Sequence, residues 1–232
     1  MSLADFKTNK EIDLGIESFV DPTTKVFIAM GIDISESMSW HGGIKAAYEG
    51  VKVFLETLKN DAYASACVEV AIFTFNHEVK KVVDFAPVNE IVAPTFTAEG
   101  TTDMNSVVVQ MVNELDEKQS EYKSKNIKCK VPWMVILSDA DVVDSSIDEA
   151  VKITSSRVAK KSLTMFSIAT GNEVNIEQFK RFNPTKPVIY SPTSESLVDL
   201  FEWLSQTAIG FSETKIGESS KSEPLDRRYD LF

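Results

Sequence analysis

The chain has 232 residues, 43% of them hydrophobic and 25% charged, which suits one α/β domain with a well-filled core. These proportions exclude disordered, collagen-like and coiled-coil chains. The formal net charge of −11, with basic residues scattered along the chain, argues against a nucleic-acid-binding protein, because such proteins cluster Lys and Arg against phosphate.

The two cysteines, Cys67 and Cys129, are far apart in sequence and form neither a disulfide framework nor a set of metal ligands. Residues 1–17 lack the apolar block of a signal peptide. No apolar run approaches the roughly 20 residues needed to cross a bilayer. The sequence therefore predicts a cytoplasmic protein that does not contact a membrane.

In chain order, the first predicted strand is Val26–Asp33, a buried apolar run that ends in an acid. A polar loop over 35–43 follows, and the spacing of apolar residues predicts a helix over 44–58. Two strand-like runs, 68–75 and 79–85, are joined by a short connection, which predicts an antiparallel hairpin at a sheet edge. The later predicted elements are a helix from 104 towards 125, a strand over 133–137, a helix over 147–158, a strand over 163–169, a short helix over 177–182, a strand over 188–190 and a helix over 197–209.

This alternation of strands and helices predicts crossover connections and an α/β fold. We expect a three-layer, doubly wound, mostly parallel sheet with one antiparallel edge strand. The domain is expected over 24–211, after an N-terminal extension over 1–23 and before a polar, flexible C-terminal tail over 212–232. The more hydrophobic end of that tail, from Tyr229 onward, is interpreted as frayed rather than docked.

Three predicted loops bring oxygen-bearing side chains to one edge of this sheet, because ligands of a parallel sheet bind beyond the carboxyl ends of its strands. Hard divalent cations such as Mg²⁺ prefer oxygen ligands, so the sequence predicts a metal site at that edge. The candidate ligands are Asp33, Ser35 and Ser37 after the first strand, Thr101 or Thr102 before the second large helix, and Asp139 after the strand over 133–137.

These residues, in this order of strands and loops, resemble the metal-ion-dependent adhesion site (MIDAS) of von Willebrand factor A (vWA) domains, which have a Rossmann-like fold. The resemblance covers roughly residues 24–212. It implies that Ser35 and Ser37 bind the metal directly, and that Asp33 and Asp139 act close to it, often through water. It also implies that a threonine joins the ligands when a partner is bound.

The resemblance implies Mg²⁺ as the ion, with Mn²⁺ or Ca²⁺ as alternatives. Thr102 is preferred to Thr101 as the threonine ligand, because the apolar positions from Met104 onward place Thr102 better at the start of the helix. Thr101 then replaces a glycine that is common in the family.

Glu36 and Ala140 also stand where the family usually has glycine. Glu36 adds negative charge near the ion, which either tightens metal binding or weakens the attraction of an acidic partner. Each motif residue also has a purely structural interpretation, the serines as loop or cap residues and Thr102 as the helix N-cap with Asp103 as a first-turn acid. Taken together and in this order, the residues favour the metal site.

Within the family, the chain is most similar to TerY-like proteins of bacterial tellurite-resistance and stress-response clusters. This similarity lies in the segments 73–79 (FTFNHEV), 133–139 (WMVILSD) and 200–205 (LFEWLS). It implies a non-enzymatic module that binds the Asp or Glu side chain of a protein partner, with a phosphatase or kinase of the same gene cluster as the candidate.

Two other functions remain open. A metal-dependent phosphohydrolase also places an acid after the first strand, but it needs a second aspartate two residues later, where this chain has Ser35. The sequence also contains no phosphate-binding glycine loop or nucleophile elbow in a suitable place. The other alternative is a vWA partner of an AAA+ ATPase.

Overall fold

The computed structural model describes residues 24–139, 147–171, 174–216 and 229–231, and within them seven strands form a single mixed sheet. The strands are β1 (Val26–Asp33), β2 (Val68–Phe75), β3 (Val79–Pro87), β4 (Trp133–Ser138), β5 (Thr164–Thr170), β6 (Ile189–Ser191) and β7 (Asp230–Leu231). Their order across the sheet is β3-β2-β1-β4-β5-β6-β7.

The five strands β2, β1, β4, β5 and β6 run parallel to one another. Strand β3 pairs antiparallel with β2 at one edge, and β7 pairs antiparallel with β6 at the other. The predicted α/β fold with a mostly parallel sheet and an antiparallel hairpin edge is confirmed. The second antiparallel edge strand, β7, was not predicted.

Helices cover both faces of the sheet. They are α1 (Gly43–Asn60), α2 (Ala62–Cys67), α3 (Met104–Ser124), α4 (Asp148–Ala159), α5 (Ile176–Phe182) and α6 (Ser194–Glu213), with 3-10 helices at Glu36–Gly42 and Val88–Glu90. Helix α2 was not predicted from the sequence, because its six residues (AYASAC) are too few to show an amphipathic period. Where the sequence predicted a loop over 35–43, the structure has the first 3-10 helix.

The two faces of the sheet hold two separate hydrophobic cores. Along β1, alternate residues such as Ile28 and Met30 pack towards α1 and α6, while Phe27 and Ala29 pack towards α3. All eight residues of β1 are buried. A strand covered on both faces needs apolar residues at every position, which explains the continuous apolar run in the sequence.

The end of the domain differs from the tail that the sequence suggested. Helix α6 continues to Glu213, and the buried Lys130 donates hydrogen bonds to the carbonyls of Phe211 (2.6 Å) and Ser212 (2.7 Å) at its C-terminus. A cation at this end of a helix satisfies carbonyls that have no partner within the helix. Residues up to Thr214 therefore belong to the domain.

The interpretation of the chain end as frayed is wrong for residues 229–231. Tyr229 is buried, and its hydroxyl donates a hydrogen bond to the carbonyl of Ser196 (3.1 Å) in the first turn of α6. The next two residues, 230 and 231, pair with β6 through their backbones. They thereby cover an edge of the sheet whose hydrogen-bonding groups would otherwise be unpaired. The predicted extension over 1–23 lies outside the described residues.

Both cysteines, Cys67 and Cys129, are free thiols, and Cys67 lies in the hydrophobic core. None of the described helices combines the length and the apolarity that crossing a membrane requires.

The contact between α1 and α6 depends on Gly50, because a methyl group there would overlap the ring of the fully buried Phe201. Gly210 is also helical, but a methyl group at that position would meet no atom within 4 Å. Both changes to alanine raise helix propensity alike, so their difference isolates the steric effect. We expect Gly50→Ala to unfold with a free energy about 1–3 kcal/mol lower than Gly210→Ala, measured by urea denaturation. Equal stability of the two variants would contradict this packing.

Candidate metal centre

The parallel register of β1 and β4 places the first two groups of the candidate site side by side. Ile32 pairs with Leu137, so the next residues along the two strands, Asp33 and Ser138, emerge together at the carboxyl end of the sheet. Asp33 is fully buried there. A buried carboxylate needs hydrogen-bond donors, because water no longer solvates its charge.

Two donors hold the Asp33 carboxylate. Its Oδ1 accepts a hydrogen bond from the backbone N–H of Ser35 (2.8 Å), and its Oδ2 accepts one from the hydroxyl of Ser138. One donor comes from the loop that follows β1 and the other from the neighbouring strand. The side chain therefore has a fixed orientation and joins the two elements.

The serine loop brings two hydroxyl groups together above Asp33. The Oγ atoms of Ser35 and Ser37 lie 3.1 Å apart. Ser35 occupies the N-cap position of the 3-10 helix, yet its side chain makes no capping hydrogen bond. Ser39 is used differently, because its hydroxyl donates to the carbonyl of Glu36 (2.7 Å). Ser35 and Ser37 thus form a pair, from which Ser39 is separate.

The segment before α3 is hydrogen-bonded to the serine loop. The N–H of Glu36 donates to the carbonyl of Gly100 (2.9 Å), and the N–H of Glu99 donates to the carbonyl of Ile34 (2.8 Å). These two bonds bring Thr102, two residues beyond Gly100, to the same edge of the sheet as the serines.

Asp103, and not Thr102, is the N-cap of α3. Its carboxylate accepts hydrogen bonds from the backbone N–H (3.0 Å) and the hydroxyl (2.6 Å) of Ser106. The structural interpretation of Thr102 as a cap, with Asp103 as a first-turn acid, is therefore wrong. Thr102 is half-buried, and its hydroxyl makes no hydrogen bond within the described ranges, whereas Thr101 is exposed.

Asn76 organises the backbone around the threonine segment. It is buried, and its side-chain Nδ2 donates to the backbone carbonyl of Glu99 (2.8 Å). Its backbone carbonyl accepts from the N–H of Asp103 (2.6 Å). Gly100 has φ +74°, and a methyl group on it would overlap Nδ1 of His77. A side chain at position 100 would therefore be both strained and obstructed.

Asp139 follows directly on β4, beside Asp33. It is half-buried with its Oδ1 atom shielded from solvent, and its charge acts on Asp33. Gly171 (φ +94°), at the end of β5, approaches it so closely that a methyl group would lie 3.2 Å from the Asp139 Cβ. Ala140, which stands at a family glycine position, lies outside the described residues.

The surroundings of Asp33 disfavour a negative charge on its carboxyl group. Burial raises the pKa of Asp33 from 3.8 to about 6, although the hydrogen bonds from Ser138 and Ser35 lower it, and the charge of Asp139 raises it further. The carboxyl group is thus less acidic than an exposed aspartate, even with two donors. A cation beside it would favour the ionised form.

The donor set fits a hard divalent cation. The paired hydroxyls of Ser35 and Ser37, the two carboxylates and the Thr102 hydroxyl are all oxygen donors at one sheet edge. Among the residues described, no three His, Cys, Asp or Glu side chains come together as a metal cluster. A cation held here would therefore depend on neutral hydroxyls.

Two residues that hold the site together, Ser138 and Asn76, were not predicted from the sequence. Ser138 precedes Asp139 in the chain, and its role follows only from the pairing of β1 with β4. Asn76 sits in the turn between β2 and β3, where an asparagine that accepts from the N–H two residues later (Glu78, 2.9 Å) is a common turn former. That signal could have marked the turn but not the contacts with Glu99 and Asp103.

Comparison with solved structures shows that the chain has the von Willebrand factor A-type fold. It is similar to the von Willebrand factor type A protein from Catenulispora acidiphila, with 16% identity and a TM-score of 0.62 over 81% of this chain and 43% of that one. The ArnB paralog VWA2 from Sulfolobus acidocaldarius has 14% identity and a TM-score of 0.54 over 78% of this chain and 45% of that one. The pilus adhesin SpaC from Lactobacillus rhamnosus GG has 14% identity and a TM-score of 0.59 over 81% of this chain and 30% of that one.

This chain spans less than half the length of each of these three proteins. No protein-family model matches the sequence, and no curated protein matches it. The comparisons support the fold and give no support to the narrower TerY-like resemblance.

The raised pKa of Asp33 makes stability depend on pH in a defined direction. A protonated Asp33 stabilises the folded state fully below about pH 4, and this contribution is lost as the pH rises through about 6, which amounts to about 3 kcal/mol. In EDTA, we expect Asp33→Asn to gain stability relative to the wild type between pH 4.5 and pH 7.5, measured by urea denaturation. Parallel pH profiles of the two proteins would show that Asp33 titrates normally.

Proposed function

We propose that this domain binds one divalent cation, preferentially Mg²⁺, and uses it to bind the Asp or Glu side chain of a partner protein. The observation that carries the proposal is the pair of hydroxyls on Ser35 and Ser37, 3.1 Å apart and next to the immobilised Asp33 carboxylate. The vWA-type fold supports it, because this edge of the sheet is where a doubly wound fold binds ligands.

The proposed roles follow from which oxygens carry charge. Ser35 and Ser37 are direct ligands, Thr102 joins them when the partner is bound, and Asp33 and Asp139 act beside the ion through water. Neutral hydroxyls do not cancel the charge of the cation, so it still attracts a carboxylate from outside. The hydrogen bonds of Asp33 to Ser35 and Ser138 agree with a supporting role, because both of its oxygens already have donors.

The phosphohydrolase alternative has less support in the site. The position where such an enzyme needs a second aspartate holds Ser35, which is buried and close to Ser37. Two more specific partner classes stay within the proposal. One is a phosphatase or kinase of a tellurite or chemical stress-response cluster, and the other is an AAA+ ATPase.

Metal binding should stabilise the folded chain, because a ligand that binds only the native state shifts the folding equilibrium. At a hundredfold excess over Kd, Mg²⁺ or Mn²⁺ should add about 2.7 kcal/mol, which raises Tm by about 5–10 °C for a domain of this size. Asp33→Ala and Ser37→Ala should abolish the shift, measured by calorimetry with and without EDTA. An unchanged shift in both variants would show that the ion binds elsewhere.

Ser39→Ala is the matched control, because Ser39 lies in the same 3-10 helix but bonds only to the carbonyl of Glu36. Its metal-induced shift should equal that of the wild type.

Thr102→Val and Thr101→Val decide between the two threonines. Only Thr102→Val should weaken binding of the acidic partner, since the threonine is proposed to bind the metal in the complex.

Partner binding should depend on the ion. A pull-down with the wild-type chain in Mg²⁺ should retain proteins that EDTA releases, and an otherwise identical experiment with Ser37→Ala should lose the same proteins.

Incubation with a generic phosphate ester and Mg²⁺ should give no turnover. Steady hydrolysis that Asp33→Ala abolishes would instead establish the phosphohydrolase alternative.

A further inference from the structure

We infer that the partner presents an arginine or lysine beside its metal-binding carboxylate, and that Trp40, Glu36 and Glu99 recognise this cation. The inference rests on the proposed function, and it names the chemistry of the partner segment. Three observations on the rim of the site carry it.

The first observation is an exposed tryptophan beside a proposed ligand. Trp40 is 63% exposed and makes no ring contact with another described residue. It lies three residues after Ser37 in a 3-10 helix, and residues three apart in such a helix share one face. The neighbouring Met38 is buried instead. Trp40 and the proposed ligand Ser37 therefore lie on one face of this helix, and the indole ring is open to a partner.

The second observation is the negative charge of the rim. Glu36 and Glu99 are both exposed, and hydrogen bonds between residues 34–36 and residues 99–100 hold their backbones side by side. Neither carboxylate forms a salt bridge within the described part of the chain. Two uncompensated acids thus border a site that is proposed to attract a third carboxylate.

The third observation is that the site already holds two acids, because the pairing of β1 with β4 brings Asp33 and Asp139 to the same edge of the sheet. A partner carboxylate adds to this local excess of negative charge, which one divalent ion offsets only in part. A cation on the same partner segment removes the remaining repulsion, because it pairs with Glu36 or Glu99 as the carboxylate reaches the ion.

Trp40 also favours an arginine or lysine on the partner, through the face of its indole ring. The face of an indole ring attracts cations, and guanidinium groups also stack on it. Arginine therefore satisfies both the ring and the acids, and lysine satisfies them less completely. A purely apolar neighbour would cover Trp40 but leave the charge of Glu36 and Glu99 unbalanced.

The test uses a displayed peptide library with a fixed aspartate and randomised neighbouring positions. The wild-type chain is immobilised in Mn²⁺, and only peptides that EDTA elutes are sequenced. Arg and Lys should be enriched beside the aspartate. In the double variant Glu36→Lys, Glu99→Lys, the enrichment should change to Asp and Glu. Glu117→Lys, an exposed acid on α3, is the matched control and should keep the wild-type preference.

The affinity of each variant for a selected Asp-Arg peptide measures how much each side chain contributes to binding. Glu36→Lys should weaken it about threefold, as expected for an exposed ion pair. Trp40→Ala should weaken it about two- to fivefold. Val92→Ala, which shortens another exposed apolar side chain, should leave it unchanged. A retained Mg²⁺-induced Tm shift in each variant shows that the ion still binds.

The outcomes separate this inference from the proposed function. EDTA-eluted peptides without Arg or Lys enrichment, or with the same enrichment in the charge-reversed variant, would overturn the inference and leave metal-dependent binding intact. A wild-type chain that retains no EDTA-sensitive peptide would contradict the proposed function itself.

Discussion

The candidate site depends on one buried carboxylate at the end of the central strand. Asp33 is withdrawn from water, and a buried charge is tolerated only where donors replace the lost solvation. The donors come from the loop after β1 and from the neighbouring strand β4, so the register between these strands fixes the distance between the loops. The parallel sheet is thus the scaffold that holds the serine loop beside Asp139.

The same arrangement places the proposed metal binding and the stability of the fold in opposition. Asp33 and Asp139 are close enough for the charge of one to disfavour that of the other, and burial adds to the effect. An apolar or amide side chain at position 33 would fold with less electrostatic strain. The cost is local, since neither of the two hydrophobic cores on the faces of the sheet includes Asp33 or Asp139. A well-packed domain can therefore hold an unfavourable acid at its edge.

Much of the fold was predictable because buried parallel strands leave a clear mark on the sequence. The bounds of β1 and β2 agree with the prediction, since every residue of both strands is buried. Asp33, Ser35 and Ser37 were predicted to lie together because they are close in sequence, and hydrogen bonds do connect them. Ser138 and Asn76 were not, because their contacts depend on which strands are neighbours. The choice of Asp103 as the cap of α3 is equally a matter of side-chain orientation, which the spacing of apolar residues does not reveal.

The short strand β7 affects where this domain can be divided. Tyr229 fills part of the core near the start of α6, and the two residues after it cover the outer edge of β6. A chain shortened after residue 211 would lose this cover together with the hydrogen bonds from Lys130 to the carbonyls of Ser212 and Thr214. It would then present bare backbone donors and acceptors beside an opened apolar surface, which is the combination that promotes self-association. Trimming at residue 211 would therefore favour aggregation, although the apolar periodicity of the sequence makes that position look like the domain boundary.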